Sequence, residues 1–275
     1  MPELAHQGSG ISSLGDFVGR HRKLFVLTGA GCSTDSGIPD YRDASGGWKR
    51  TPPVSFQAFM GGSAVRQRYW ARSLVGWQRF RRAEPNEAHR SLSRLEQQGR
   101  LELLVTQNVD GLHQAAGSTQ VIDLHGRLDW VRCMDCYDIT PRAELQAELL
   151  RLNPAWDGLE GRMAPDGDAD LEGLTFGDFV VPSCSRCDGV LKPDVVFFGE
   201  SVPRQRVDEA MRRLERADAV LVVGSSLMVY SGYRFVQAAA QSAKPVAAVN
   251  LGRTRADELL TLKVSERCAV ALAGL

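Results

Sequence analysis

Phe25-Val-Leu-Thr-Gly-Ala-Gly-Cys-Ser-Thr-Asp-Ser-Gly-Ile-Pro-Asp-Tyr-Arg-Asp43 decides the fold. Leu24 to Leu27 are uniformly apolar, which reads as a buried strand. The run breaks at Gly29 and Gly31 and then resembles a helix start from Ser33 to Ser36. A strand, a glycine turn and a helix N-terminus make an anion site: glycine lets the backbone approach a phosphate, and free N–H groups favour negative charge. A nucleotide pyrophosphate is therefore expected over Gly29, Ala30, Gly31, Cys32 and Ser33. The pattern is not the G-x-G-x-x-G fingerprint, because Thr34 occupies the third glycine position and no acidic ribose ligand follows about 20 residues on. A tight strand-to-helix turn with no ligand would use the same two glycines. Gly37 and Pro39 exclude a long helix next, so Asp40, Tyr41 and Arg42 fall on a loop beside the turn.

Working outward, Ile11 to Arg22 reads as a leading helix, Phe56 to Arg82 as an Arg-rich helix, and Pro85 to Gly99 as a third. Leu101 to Thr106, Val121 to His125, Val195 to Phe198, Val220 to Val223 and Pro245 to Asn250 read as strands. Between and after the later ones stand helical patterns at Pro203 to Ala217, Tyr233 to Ser242 and Arg255 to Lys263. Apolar strands alternating with helices predict an α/β fold, a parallel sheet covered on both faces. Ligands of such sheets lie at the carboxyl ends of the strands. Five segments meet there: the glycine turn, Gln107-Asn108-Val109-Asp110, His125-Gly126, Gly224-Ser225-Ser226 and Asn250-Leu251-Gly252.

The 275 residues suit one large or two smaller domains, and 43% hydrophobic with 24% charged content is ordinary for a globular enzyme. Thirty-three basic and 33 acidic residues cancel, which argues against nucleic acid or an anionic membrane as the main partner. No apolar run reaches 18 residues, and Met1 to Ser13 reads as a short tail without targeting pattern. A cytoplasmic, monomeric protein is the expectation.

Cys133-Met-Asp-Cys136 and Cys184-Ser-Arg-Cys187 form two C-x-x-C knuckles separated by 47 residues. Four thiolates suit one tetrahedral Zn²⁺ with no open position, hence a structural ion; two disulfides or redox pairs are the alternatives. Leu152 to Pro182, inside this block, is rich in Gly, Asp and Pro and reads as an extended loop. Cys32 and Cys268 remain, Cys32 reading either as a nucleophile or as a small buried residue filling the turn. Of five histidines, His113 and His125 stand at or just beyond strand ends, and His125 converges with the other polar ends as a candidate base. Gln107, Asn108 and Asp110 can orient a ribose or a carboxamide, or Asp110 can simply cap a helix.

These motifs in this order resemble those of the sirtuins, NAD-dependent protein lysine deacylases, over residues 20 to 270. Tyr230-Ser-Gly-Tyr-Arg234, the long zinc insertion and Arg253 to Asp257 are most similar to the class II branch that includes sirtuin 4. The resemblance implies a Rossmann-type NAD domain over 12–50, 85–130 and 195–275, and a smaller domain made of a helical module, 51–84, and a zinc module, 131–194. It implies that Gly29 to Ser33 hold the pyrophosphate and that Pro39, Asp40, Tyr41 and Arg42 border the nicotinamide. Gln107 and Asn108 would address its ribose and Asp110 its carboxamide; Gly224, Ser225, Ser226, Asn250, Leu251, Gly252 and Cys268 would form the adenosine side. His125 would be the general base, with Asn108 and Asp110 catalytic beside it. Val195, Phe197 and Phe198 with Val229, Tyr230 and Gly232 would flank an acyl-lysine peptide lying as an added strand. The products implied are nicotinamide, acyl-ADP-ribose and free lysine; mono-ADP-ribosyl transfer to protein is the alternative. Tyr69 and Arg72, three apart, resemble a Tyr-x-x-Arg pair that reads acidic acyl groups, although Arg72 also fits a solvated position on an Arg-rich helix.

Overall fold

The computed structural model describes residues 13–49, 52–171 and 173–275. The tail expected before Ser13, the helix start at Ile11 and the domain limits at 12, 50 and 51 fall outside these residues. The central sheet contains β1 (Leu24–Thr28), β2 (Leu101–Thr106) and β3 (Val121–Asp123) on one side. On the other stand β9 (Ala219–Val223), β10 (Val246–Val249) and β11 (Leu262–Val264). Their order is β11-β10-β9-β1-β2-β3, and every pairing is parallel. β1, β9 and β10 are buried on both faces, which is why they read as unbroken apolar runs.

Helices cover both faces. α1 (13–20), α4 (Glu87–Gln97) and α9 (Cys268–Leu272) pack on one face through Leu14, Phe17, Leu92 and Leu272. α7 (Arg204–Arg216) and α8 (Tyr230–Gln241) pack on the other through Leu214, Phe235 and Val236. A third core lies beside the sheet. It gathers α2 (Phe56–Gly61), α3 (Ser63–Phe80), the short α5 (Leu112–Ala115) and α6 (Arg142–Leu152). A three-stranded antiparallel sheet joins them, made of β4 (Gly126–Cys133), β5 (Ile139–Pro141) and β8 (Leu191–Val195). No helix among the described residues is long and apolar enough to cross a bilayer.

Five local expectations are corrected. The helix start at Ser33 is two 3-10 turns, Ala30–Cys32 and Thr34–Ser36, cut short where Gly37 enters the left-handed region at φ 83°. The single helix over Phe56 to Arg82 breaks at Gly62, whose extended backbone separates α2 from α3. The strand at Val195 to Phe198 instead ends at Val195, and the chain then turns because the Glu200 carboxylate accepts the Phe197 N–H at 2.8 Å. The helix over Arg255 to Lys263 is a 3-10 turn followed by β11; Asp257 binds both Thr254 and Lys263, and the apolar residues finish the sheet edge. Within the patternless insertion, β6 (Arg162–Met163) and β7 (Ala169–Asp170) form a small hairpin.

Candidate active site

The carboxyl ends of β1, β2, β9 and β10 open into a cavity of about 1170 Å³. That exceeds the roughly 300–1,000 Å³ typical for one small ligand, and suits a dinucleotide together with part of a second substrate. Its first wall is the glycine turn. Gly31 N–H donates to the Gly224 carbonyl at 2.8 Å and Gly29 N–H to Val223 at 3.1 Å, so the turn is stitched to the end of β9. A β-carbon on Gly224 would sit 2.2 Å from the Cys32 nitrogen, and Gly224 has φ 64°. Only glycine fits there without strain.

Behind the turn lies a buried polar network. Asn108 Nδ2 donates to the Gly29 carbonyl at 3.1 Å and to Ser33 Oγ at 3.0 Å. Ser33 Oγ donates to Asp110 Oδ2 at 2.7 Å, and Leu112 N–H donates to Asp110 Oδ1 at 2.9 Å. Burial pushes the Asp110 carboxyl up, and these two bonds oppose the shift. His125 sits past β3. A carbonyl can only accept, so its contact with Gln107 O at 2.9 Å fixes the proton on Nδ1. Nε2 therefore carries a lone pair, which accepts from Ser231 Oγ at 2.8 Å. Burial lowers the His125 pKa to about 4, so the base form prevails at neutral pH.

The loop of Asp40, Tyr41 and Arg42 closes one side. Arg42 donates to Gly46 O at 2.8 Å and stacks on Trp48 at 4.1 Å. Arg253 N–H donates to Ala44 O at 2.9 Å, tying this loop to the Asn250–Gly252 turn. Ser225, Ser226, Asn250, Leu251, Gly252 and Cys268 all line the cavity. Ser225 Oγ donates to Gln107 Oε1 at 2.7 Å, joining the two strand ends. Val195, Phe197, Phe198, Val229 and Tyr230 line the mouth; Phe198, Val229 and Tyr230 are exposed.

Several expected residues lie elsewhere. Cys32 is buried beneath the turn with its thiol pushed well up, chiefly by burial, so it fills space and does not act as a nucleophile. Pro39 lines a separate shallow groove with Arg79, Arg82 and Arg162. Gly232 is in the first turn of α8, where a β-carbon would meet the Gln107 amide at 2.7 Å, and Tyr230 opens that helix. Tyr69 lines the cavity, but Arg72 does not: it is held by the Ala169 carbonyl at 2.9 Å and by Asp170 at 3.3 Å. His113, expected beyond a strand end, lies in α5 and is buried. Trp48, Met228 and Arg267 also line the cavity, and no sequence motif singled them out; Ser231 stands in the quoted Tyr230–Arg234 motif, but no role was read for it.

Among the described residues, two cysteine-containing clusters place metal-type donors together. In the first, Cys133 and Cys187 sulfurs are 3.5 Å apart and Cys136 and Cys184 sulfurs 3.8 Å, with no disulfide. Four thiolates at 2.3 Å from a tetrahedral Zn²⁺ stand about 3.8 Å apart. Both knuckles repeat one backbone pattern. Tyr137 N–H donates to Cys133 O and Asp188 N–H to Cys184 O, with Tyr137 and Asp188 in the left-handed region. The four cysteines fit a structural zinc. The second cluster, Cys32, His89 and His113, does not fit a metal. Asn86 N–H donates to His89 Nδ1 at 3.2 Å in the capping box of α4. His89 Nε2 must then carry the proton, which faces Ser33 Oγ at 3.4 Å.

A Sir2 family model matches residues 29–231. The chain belongs to the Sir2 family. This sirtuin is 68% identical over 263 residues to an NAD-dependent protein deacetylase of Xanthomonas campestris pv. campestris (strain 8004), covering 96% of this chain and 90% of that protein. It is 48% identical over 265 residues to the mitochondrial NAD-dependent protein lipoamidase sirtuin-4 of Bos taurus, covering 95% and 84%. A solved Sir2 complex with a p53 peptide and NAD+ superposes with a TM-score of 0.75 at 30% identity, covering 95% of both chains.

Proposed function

We propose that this sirtuin removes acyl groups from protein lysines, consuming one NAD and one water and giving nicotinamide, acyl-ADP-ribose and free lysine. The observation that carries the reading is His125 Nε2: a lone pair facing the cavity, on an imidazole kept neutral by burial and locked in tautomer by Gln107 O.

NAD, when bound, supplies the ribose carbon that accepts the acyl oxygen as nicotinamide leaves. The chain's own residues do the rest. Gly29 to Gly31 and Ser33 offer a close backbone approach for pyrophosphate. Asn108 and Asp110, fixed through Ser33, orient the nicotinamide ribose and carboxamide. The Arg42–Trp48 loop shields the reacting carbon from water, which would otherwise capture it. His125 takes a proton from a ribose hydroxyl at Nε2, where the Ser231 hydroxyl now stands. The four cysteines would hold zinc outside this chemistry and so pin β4 to the chain leading into β8.

Mass spectrometry of NAD reactions with acyl-lysine peptides, wild type beside His125→Ala, tests the assignment. Acyl-ADP-ribose from wild type and none from the variant supports it. Nicotinamide release with ADP-ribose carried on protein, and no peptide turnover, would transfer the chain to the mono-ADP-ribosyltransferases.

A further inference from the structure

Among the described residues, five cationic side chains line the reaction cavity: Arg42, Lys49, Arg204, Arg234 and Arg267. Four are engaged. Arg42 donates to Gly46 O and stacks on Trp48, and Lys49 pairs with Asp40. Arg204 pairs with Asp208 at 3.4 Å, and Arg267 pairs with Asp35. Arg234 makes no hydrogen bond and no ion pair among the described residues. It stacks on the Tyr230 ring, its guanidinium carbon 5.0 Å from the ring centre. Its Nε is shielded from water and still has no partner.

The position of Arg234 ties it to the cavity mouth. On α8 it stands four residues after Tyr230 and three after Ser231, so it shares their side of the helix. Tyr230 is exposed at the mouth with Val229 and Phe198, and Ser231 meets His125 Nε2 at 2.8 Å. Arg234 is thus one helical turn from the residue that touches the base. The carboxylates on this side already have partners. Glu200 accepts from Lys192 Nζ at 3.1 Å and from Phe197 N–H at 2.8 Å, and Asp208 faces Arg204. Arg255, stacked on Tyr233 at 4.3 Å, adds a further positive charge. The expected pyrophosphate seat is elsewhere, on the backbone of Gly29 to Ser33.

We propose that Arg234 is a specificity residue that selects protein substrates carrying Asp or Glu one or two residues from the acyl-lysine. The inference rests on the deacylase reading, which lays the acyl-lysine peptide between Phe198 and Tyr230. Extended peptide advances about 3.3 Å per residue, and neighbours on one helix face stand about 5–6 Å apart. A residue beside the lysine therefore comes within reach of Arg234 when the acyl group points at Ser231 and His125. The guanidinium offers its N–H groups in a planar fork that matches a carboxylate. Its Nε has already lost water, so pairing costs less desolvation than at a fully hydrated surface arginine. Stacking on Tyr230 holds the fork in place and uses none of its donors. A basic residue in the same place meets like charge.

The test uses acetyl-lysine peptides with Glu, Gln or Lys placed one or two residues to either side of the acetyl-lysine. Affinity is measured by fluorescence anisotropy with the zinc-loaded full chain, and acyl-ADP-ribose formation with NAD is measured in parallel. At one of these positions wild type should favour Glu over Gln by at least about fivefold, and over Lys by at least about tenfold. The preference should shrink at high salt. Arg234→Gln should bring the three peptides within about twofold, and Arg234→Glu should place Lys first. Affinity for ADP-ribose, by calorimetry, should stay within about twofold in both variants. Circular dichroism reports folding; if Arg234→Glu does not fold, Arg234→Gln carries the comparison. No preference in wild type, or one untouched by Arg234→Gln, would overturn the proposal. So would an equal loss of ADP-ribose affinity, which would assign Arg234 to the cofactor. Glu-dependent binding without any acyl-ADP-ribose would sustain the role of Arg234 and sink the deacylase reading. Acyl-ADP-ribose formed equally from all three peptides would do the reverse.

Discussion

The environment of His125 makes a pH prediction that differs from that of an ordinary histidine. The acid limb of kcat/KM reports the free enzyme's base. Burial lowers the His125 pKa to about 4, and the bond to Gln107 O only partly opposes the shift. At about 1.36 kcal/mol per unit, the displacement from 6.5 corresponds to roughly 3 kcal/mol against the imidazolium. The sign follows: the base is lost only as pH falls through about 4. Between pH 7.5 and 5.5, kcat/KM for an acyl-lysine peptide should therefore change less than about twofold. A base with a pKa of 6.5 would lose about tenfold over the same window. Nicotinamide release is the assay, with circular dichroism at each pH to verify the fold. His125→Asn retains a donor for Gln107 O but has no basic lone pair, and should lose about 10²–10⁴ in rate. A tenfold fall centred near pH 6.5 would refute the buried, neutral His125 on which the mechanism depends.

Gly224→Ala adds left-handed strain and a 2.2 Å overlap with the Cys32 nitrogen; unfolding should become easier by roughly 2–4 kcal/mol and KM for NAD should rise, as read by urea titration and initial rates. Gly76→Ala sets about 1 kcal/mol of helix propensity in its favour against a 2.3 Å overlap with the hairpin backbone; we expect a net loss of roughly 1–3 kcal/mol in urea melts, and net stabilisation would show that the hairpin does not seat on α3. Removing zinc with a chelator, or substituting Cys133→Ser, should cost roughly 3 kcal/mol or more and lower Tm by about 6–12 °C, with one zinc per chain lost by atomic absorption. Ser33→Ala leaves Asp110 and Asn108 each one hydrogen bond short in a buried network; kcat/KM should fall about 10- to 100-fold, by nicotinamide release, with smaller loss of stability.

The central sheet was legible because strands buried on both faces have no choice but to be apolar, and because parallel strands put their polar ends on one side. Gly29, Gly31, Asn108, Asp110, His125 and Gly224 all follow from that rule. What escaped depended on tertiary partners. Ser231 carries a hydroxyl to His125 from a helix that opens three residues before its periodicity suggests. His89 occupies the capping-box position that Glu or Gln usually fills, so the start of α4 was visible but the role of its third residue was not. β11 is three residues long, too short for any period to register. The β6–β7 hairpin has two residues per strand, and its hold on the molecule is Gly76 on a distant helix, which no local pattern can announce. Arg72 had the right spacing from Tyr69, yet Asp170 and Ala169 O claim it across about 97 residues of chain.

The capping histidine of α4 has a consequence for traffic in metal ions. Among the described residues, seven cysteine and histidine side chains gather into two clusters of metal-type donors. One is a half-exposed cage of four thiolates; the other lies buried beneath the glycine turn, touching the serine that holds Asp110. Because His89 accepts the Asn86 N–H on Nδ1 and keeps its proton on Nε2, it offers the inner cluster no ligand atom, whereas the outer cluster offers four thiolates. A zinc ion entering the four-thiolate cage would tighten the joint between β4 and the chain leading into β8, while the capped imidazole stays a hydrogen-bonding group.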